Sequence, residues 1–118
     1  MSAVMSHDEL EGFALELHEL LDTLHEELRD ELETIEHARH LLRQAQVGKS
    51  SQQAALELAQ RLNLEQMRQQ LDAIADCNEA LERINRGQYG RCLCCGEVIE
   101  LNRLRADPVT RTCLGCQH

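Results

Sequence analysis

The chain has 118 residues, six cysteines, an aromatic content of only 2% and a formal net charge of -9. This length fits one domain, or one domain with an extension, and so few aromatic side chains cannot fill a broad core. No run of eighteen apolar residues occurs, so the sequence predicts no transmembrane helix, and no membrane partner is expected. The acidity lies in residues 1–46, where twelve acidic residues accompany three arginines.

Residues 7–46 have the apolar periodicity of one long helix. Apolar residues recur at steps of three and four, and the opposite face is nearly all charged or histidine. Glu31 is the one misfit in the stripe, and Glu27 lies on the outer face. The residues expected to pack are Leu10, Phe13, Leu17, Leu20, Leu21, Leu24, Leu28, Ile35, Ala38, Leu42 and Ala45.

The segment VGKSS at residues 47–51 breaks this pattern, and a second helix follows it. Gly48 can end the first helix, and Ser50 or Ser51 can cap the second, which should stop before Gly87. Its expected packing stripe is Ala55, Leu58, Leu62, Met67, Leu71, Ile74, Cys77 or Asn78, Leu81 and Ile84. Two helices joined by so short a turn run antiparallel. The sequence therefore predicts a mostly α fold, in which a long antiparallel two-helix coiled-coil hairpin over residues 1–86, with its turn near 47–51, precedes a small four-cysteine module over 87–118.

Five of the six cysteines lie between residues 92 and 116. Cys92 and Cys95 form one CxxC pair, and Cys113 and Cys116 form a second, with seventeen residues between the pairs. This spacing is typical of zinc ribbons and treble clefs, in which two turns complete a tetrahedron of thiolates. The sequence predicts one structural Zn²⁺ held by these four cysteines, with no open coordination position.

Disulfides and redox catalysis are the competing interpretations of the cysteines. The N-terminal segment lacks a basic region and an apolar run, so we expect a cytoplasmic protein, in which disulfides are rare. A redox dithiol would need a βαβ pattern, but helices lie upstream. Cys94 is expected to be a bystander in its turn, with a substitute-ligand or redox role as the alternative, and Cys77 a small packing residue. His37 and His40 are expected to face solvent.

The sequence favours neither an enzyme nor a DNA-binding protein. It shows no catalytic triad, phosphate loop or paired-carboxylate cleft. In the module, four arginines oppose three acidic residues, and four thiolates with one dication add a charge of -2. Sequence-specific DNA recognition relies on an excess of Lys and Arg, so it is not expected here.

The segment YGRCLCCGEVIELNRLRADPVTRTCLGCQ closely resembles the finger of the DksA/TraR family. It has the YGxCxxCG start, the middle with Ile, Arg-Leu, Ala and Pro, and the CxxCQ end of that finger. The resemblance implies a bacterial protein that binds RNA polymerase directly, with the hairpin in the secondary channel and its tip near the active centre. Such family members change the lifetime of promoter complexes, often together with the alarmone guanosine tetraphosphate.

The chain departs from this family at two places. Polymerase-channel members carry a D-x-x-D-x-A arrangement at the tip, and counting back from the first zinc cysteine aligns it with Lys49, Ser50, Ser51, Gln52, Gln53 and Ala54. The alanine matches and both aspartates are absent. Asp107 stands where alarmone-responsive members place an arginine, so alarmone binding is not expected. The resemblance thus predicts a polymerase regulator with weak or altered output, and the alternative is a zinc-stabilised helical-hairpin adaptor for another protein.

Overall fold

The computed structural model describes residues 5–44 and 48–116, without the side chains of residues 42, 49–52, 55, 56, 58, 59 and 62. Helix α1 spans His7–Gln44, helix α2 spans Lys49–Asn85, helix α3 spans Leu101–Ala106, and a 3-10 turn spans Leu114–Cys116. The described residues form no strand, only an isolated antiparallel bridge between Arg91 and Val98. No helix in this part of the chain has the length and apolarity needed to cross a membrane. The predicted fold, a helical hairpin followed by a four-cysteine module, is confirmed.

The helix ends follow local sequence signals. Ser6 and Glu9 form a capping box, because the Glu9 backbone N–H donates to Ser6 Oγ at 3.1 Å and the Ser6 N–H donates to Glu9 Oε1 at 3.0 Å. Helix α2 begins at Lys49, which makes Gly48 its N-cap position, so the prediction that Ser50 or Ser51 caps it is wrong by two or three residues. It ends before Gly87 as predicted, and that glycine has a φ of 72°. The predicted last two residues of α1, 45 and 46, lie outside the described residues.

The chain divides into two compact units. The first joins Met1–Asp22 with Ala75–His118, and the second is Thr23–Ile74. The first unit therefore holds the start of α1, the end of α2 and the cysteine module, while the second holds the remainder of both long helices. The predicted domain boundary between residues 86 and 87 stays a prediction.

The first unit contains a tightly packed core. Leu17 and Leu104 have no exposed surface, and Ile99 and Cys77 are each 1% exposed. Phe13, Ala80, Tyr89 and Cys92 are buried as well, so α1, α2, α3 and the cysteine module all contribute to this core. The predicted packing of Phe13 and Leu17 is confirmed, whereas Leu20 is exposed and its predicted packing is wrong.

The second unit is a helix pair whose inner face, here called the seam, is partly polar. Leu24, Leu28 and Ile35 are half-buried on α1, while α2 buries Gln70 and Ile74. The predicted burial of Leu71 is wrong, because this side chain is 52% exposed. The other described residues of the predicted stripe in this unit face inward, because Ile74 is buried and Met67 is half-buried, and the side chain of Gln70 is buried beside them.

Glu31, the misfit of the predicted α1 stripe, lies half-buried at this seam. Gln66 of α2 donates a hydrogen bond from Nε2 to Glu31 Oε1 at 2.7 Å. A buried or half-buried polar atom is tolerated where it has such a partner. This exposed hydrogen bond joins the two helices at the solvent-facing border of the seam, at the position where the periodicity alone would require an apolar residue.

We expect Gln70→Met to stabilise the protein by about 1 kcal/mol. Gln70 is 8% exposed, and its Oε1 has no hydrogen-bond partner within the described part of the chain. Methionine keeps the length of the side chain and removes the unsatisfied acceptor. Urea unfolding, with the exposed neighbour variant Gln69→Met as a neutral control, measures the difference. A loss of stability in Gln70→Met alone would contradict this account of the seam.

Candidate metal centre

The structure brings Cys92, Cys95, Cys113 and Cys116 together. Their Sγ atoms all lie within 4.8 Å of one another, and the Sγ atoms of Cys95 and Cys113 are 3.7 Å apart. A tetrahedron of sulfurs at the usual Zn–S distance of about 2.3 Å has edges of roughly 3.8 Å. The four thiols are therefore close enough to share one tetrahedral zinc ion.

Backbone hydrogen bonds form the first CxxC turn. The Cys92 N–H donates to the Glu97 carbonyl at 2.8 Å, and the Gly96 N–H donates to the Cys92 carbonyl at 3.0 Å. Gly96 has a φ of 75°, which explains glycine at this position, because other residues are strained there. Arg91 and Val98 close the turn with their bridge. The chain thus turns back on itself, so that the thiols of Cys92 and Cys95 point the same way.

The second CxxC turn is the 3-10 turn Leu114–Cys116, and α3 supports it. The Cys116 N–H donates to the Cys113 carbonyl at 3.1 Å, while the Leu114 N–H donates to Glu100 Oε1 at 3.1 Å. Glu100 is also the residue that precedes α3. This carboxylate therefore holds the second turn at the start of the short helix.

The two turns are joined directly, because the Leu93 N–H donates to the Arg111 carbonyl at 2.9 Å. Hydrogen bonds from the backbone, that of Cys113 first, lower the pKa of the Cys92 thiol to about 6. The side chain of Cys113 in turn raises the pKa of Cys116. Without a cation the crowded thiols cannot all ionise together, whereas a divalent ion makes four adjacent thiolates favourable.

Two arginines, Arg83 and Arg111, support the module. Arg83 of α2 is 7% exposed and donates from Nη2 to the carbonyls of Arg91 and of Gln88, the latter at 3.4 Å. Arg111 contacts Asp76, and its Nη2 lies 3.1 Å from Glu79 Oε2. Both arginines join the first unit's part of α2 to the chain around the cysteines. No local sequence signal marks them, since each contact requires the folded arrangement.

Tyr89 fastens the start of the module to α1 and to the segment after α3. Its ring centroid is 5.5 Å from that of Phe13 at an interplanar angle of 52°. Its hydroxyl donates to the Pro108 carbonyl at 2.7 Å. Burial raises the pKa of Tyr89, so the hydroxyl keeps the proton that it donates.

We expect Tyr89→Phe to lower the free energy of unfolding by about 1 kcal/mol, because the Pro108 carbonyl loses its donor while the ring packing remains. The metal content should stay unchanged, since Tyr89 lies outside the thiol cluster. Thermal unfolding and elemental analysis of the purified variant measure the two effects. Loss of metal would show that this hydrogen bond holds the cysteines in place.

The other predicted residues lie apart from this centre. Cys94 is exposed and Cys77 is buried, as expected of a bystander and a packing residue. His37 and His40 are exposed, and the described residues contain no second cluster of metal-ligating side chains. At the predicted tip, Gln53 and Ala54 are exposed on α2, and Gln53 Nε2 donates to Glu57 Oε1 at 3.1 Å. The side chains of Lys49, Ser50, Ser51 and Gln52 lie outside the described part.

Two long helices in a hairpin, together with a four-cysteine site, define the class of this protein as a helical hairpin with a zinc finger. Residues 87–118 match the family model of the prokaryotic dksA/traR C4-type zinc finger. The resemblance seen in the motif is thereby confirmed for the finger. Together, the match and the four clustered sulfurs indicate one structural zinc per chain.

The structure is also similar to that of transcription factor DksA2 from Pseudomonas aeruginosa, with a TM-score of 0.81. The similarity covers 96% of this chain and 83% of that chain at 24% sequence identity. This likeness establishes the shared fold. No curated protein sequence matches the chain.

Proposed function

We propose that this protein is a DksA-like transcription regulator that binds RNA polymerase through the secondary channel, without sequence-specific contacts to DNA. The observation that carries the proposal is the combination of the dksA/traR finger at residues 87–118 with the fold of a transcription factor over 96% of the chain. A regulator of this kind needs no catalytic residues of its own.

Within this proposal, Cys92, Cys95, Cys113 and Cys116 are the zinc ligands and the zinc is structural. Four thiolates fill the tetrahedral coordination of the ion and leave no position for a substrate or water. The ion therefore supplies rigidity to the base of the hairpin.

The charges of the finger support a protein partner over DNA. Arg111 contacts Asp76 and Glu79, Arg103 donates to the Thr112 carbonyl at 3.3 Å, and Arg105 lies 3.9 Å from Glu9. These arginines are engaged by groups of the protein itself. Binding to phosphates needs basic side chains that are available to release counterions, and this finger offers few.

The tip is proposed to set the strength of the regulatory output. Lys49 and Gln52 stand where the resemblance places aspartates, so the wild-type protein should bind core polymerase but shift promoter-complex lifetime weakly. The double variant Lys49→Asp, Gln52→Asp should strengthen the shift while leaving binding intact, because the larger surface supplies the affinity. Open-complex decay on a ribosomal-type promoter measures this. A wild-type protein already fully active would show that the aspartates are dispensable here.

A second candidate function is that of an adaptor for another protein, and the missing aspartates favour it. Co-purification with core RNA polymerase, followed by competition with an established secondary-channel binder, separates the two candidates. Retention on polymerase that the competitor abolishes is the result expected of the regulator. Absence of binding at saturating protein would leave the adaptor.

A further inference from the structure

Helix α2 presents a solvent-exposed face that is distinct from the seam and carries an ordered set of charges. Every member of this face is exposed. Leu64 is 62% exposed and Leu71 is 52% exposed, and the two leucines lie one heptad apart on the same side of the helix. We call this set the α2 outer face, and it consists of Arg61, Leu64, Glu65, Arg68, Leu71 and Asp72.

The charges of the α2 outer face alternate in sign along the helix. Arg61, Glu65, Arg68 and Asp72 follow one another at steps of four, three and four residues, which places them on one side of the helix. Glu65 and Arg68 already pair within the chain, at 2.7 Å. From residue 61 to residue 72 the charges are positive, negative, positive and negative, and in the opposite direction along the helix they are negative, positive, negative and positive. A helix with this order is complementary in charge to a second copy of itself that runs antiparallel.

The spacing of the residues on the α2 outer face also fits an antiparallel pair of helices. In an antiparallel pair related by a twofold axis, Arg61 lies opposite Asp72 of the second copy, and Glu65 lies opposite Arg68 of the second copy. The leucines lie along the other edge of the face, where Leu64 meets Leu71 of the second copy. A twofold axis keeps each edge opposite its own equivalent, so leucines meet leucines and charges meet charges. The midpoint of the four charged residues and the midpoint of the two leucines differ by one residue, which is about 1.5 Å along the helix.

We propose that the α2 outer face is a self-association surface, on which a second copy of this chain docks antiparallel. The two exposed leucines of each copy become covered, and two Arg–Asp pairs and the two Arg–Glu pairs form between the copies. A face of twelve residues is short, about 18 Å long, so the association is weak and depends on protein concentration. The proposal rests on α2 alone and does not depend on binding to polymerase.

Sedimentation velocity over an approximately hundredfold range of concentration tests the surface, with the zinc-loaded, reduced full chain. Arg61→Glu places Glu against Asp72 of the second copy twice per dimer, and Asp72→Arg places Arg against Arg61 of the second copy twice. Each single variant should weaken association about tenfold or more. All substituted residues are exposed, so the fold should be kept, as circular dichroism would confirm.

The decisive measurement mixes the two single variants. In the mixed pair, Glu at position 61 meets Arg at position 72, and the native Asp72 meets the native Arg61, so association should return. The double variant Arg61→Glu, Asp72→Arg should also associate as the wild type does. Glu27→Lys, which changes the charge of exposed α1 by the same amount as Asp72→Arg, is the control and should have no effect.

Three results would overturn the proposal. A wild-type chain that stays monomeric over the whole range has no such surface. Association without rescue in the mixture would exclude the antiparallel register. If the wild-type chain is monomeric and the double variant Leu64→Asp, Leu71→Asp loses binding to polymerase, the face belongs to that partner instead. Loss of self-association in this double variant, with polymerase binding retained, separates this surface from the proposed function.

Discussion

Removal of zinc is expected to unfold the finger while leaving most of the helical signal of α1 and α2. Structural zinc supplies roughly 10–16 kcal/mol of apparent binding free energy in small finger peptides, and this energy is available only to the folded state. The module has no strand among its described residues, and its buried Ile99 and Leu104 lie between turns that the cysteines hold. Loss of the metal therefore removes the main interaction that keeps those turns together.

Tyr89 offers a direct measurement, because it is the only tyrosine and the chain contains no tryptophan. Its fluorescence should change on chelation, when its contacts with Phe13 and Pro108 are lost, while far-ultraviolet circular dichroism changes little. Elemental analysis of reduced protein should find one zinc per chain. Protein without metal, yet with a folded finger, would contradict the structural role.

Matched cysteine variants distinguish ligands from bystanders. Cys113→Ser should lose zinc and unfold the finger as chelation does. Cys94→Ser should retain both metal and fold, because Cys94 is exposed in the same turn region without joining the thiol cluster. Cys77→Ser should also retain zinc, although a buried hydroxyl lowers stability. Loss of metal in either of the latter variants would reassign the ligand set.

The sequence predicts the metal site well because its signal is local and chemical. Two CxxC pairs at this spacing have few folded arrangements other than a shared metal, and the structure brings the four sulfurs together as expected. The two long helices are also predictable, since apolar periodicity over more than thirty residues and a glycine-containing break leave little choice of secondary structure.

The limits of the buried face are less predictable, because both faces of α2 contain leucines and the seam contains polar residues. Periodicity assigns both Leu71 and Ile74 to the inner face, whereas the structure buries Ile74 with Gln70 and leaves Leu71 52% exposed. A shift of one residue rotates a helix by about 100°. A hydrophobic pattern with so few large side chains does not decide which of two neighbouring positions, such as 70 and 71, is buried.

Contacts between distant residues lie beyond any local pattern. Arg111 and Asp76 are 35 residues apart, and Tyr89 and Pro108 are 19 apart. Arg83 has the sequence signature of a solvent-facing helical arginine, yet it is buried because two backbone carbonyls of the module need donors. These interactions depend on how the module returns to α2, which only the folded structure defines.

Leu17→Asp is expected to lower the free energy of unfolding by about 4 kcal/mol or more. Leu17 has no exposed surface and lies in the core of the first unit, where a carboxylate would have neither water nor a partner. Leu15→Asp is the matched control, because Leu15 lies two residues earlier on the same helix and is 61% exposed. That variant should change stability by less than about 1 kcal/mol.

The same comparison on α2 tests whether Leu71 lies outside the seam. Leu71→Asp should be as mild as Leu15→Asp, since Leu71 is 52% exposed, while Ile74→Asp should be costly, because Ile74 is 9% exposed. Urea unfolding at low protein concentration keeps any self-association through the α2 outer face from contributing. Glu27→Lys, on the outer face of α1, should leave stability unchanged. If Leu71→Asp proved as costly as Ile74→Asp, Leu71 would lie in the seam as periodicity predicts, and its exposure in the structure would be wrong.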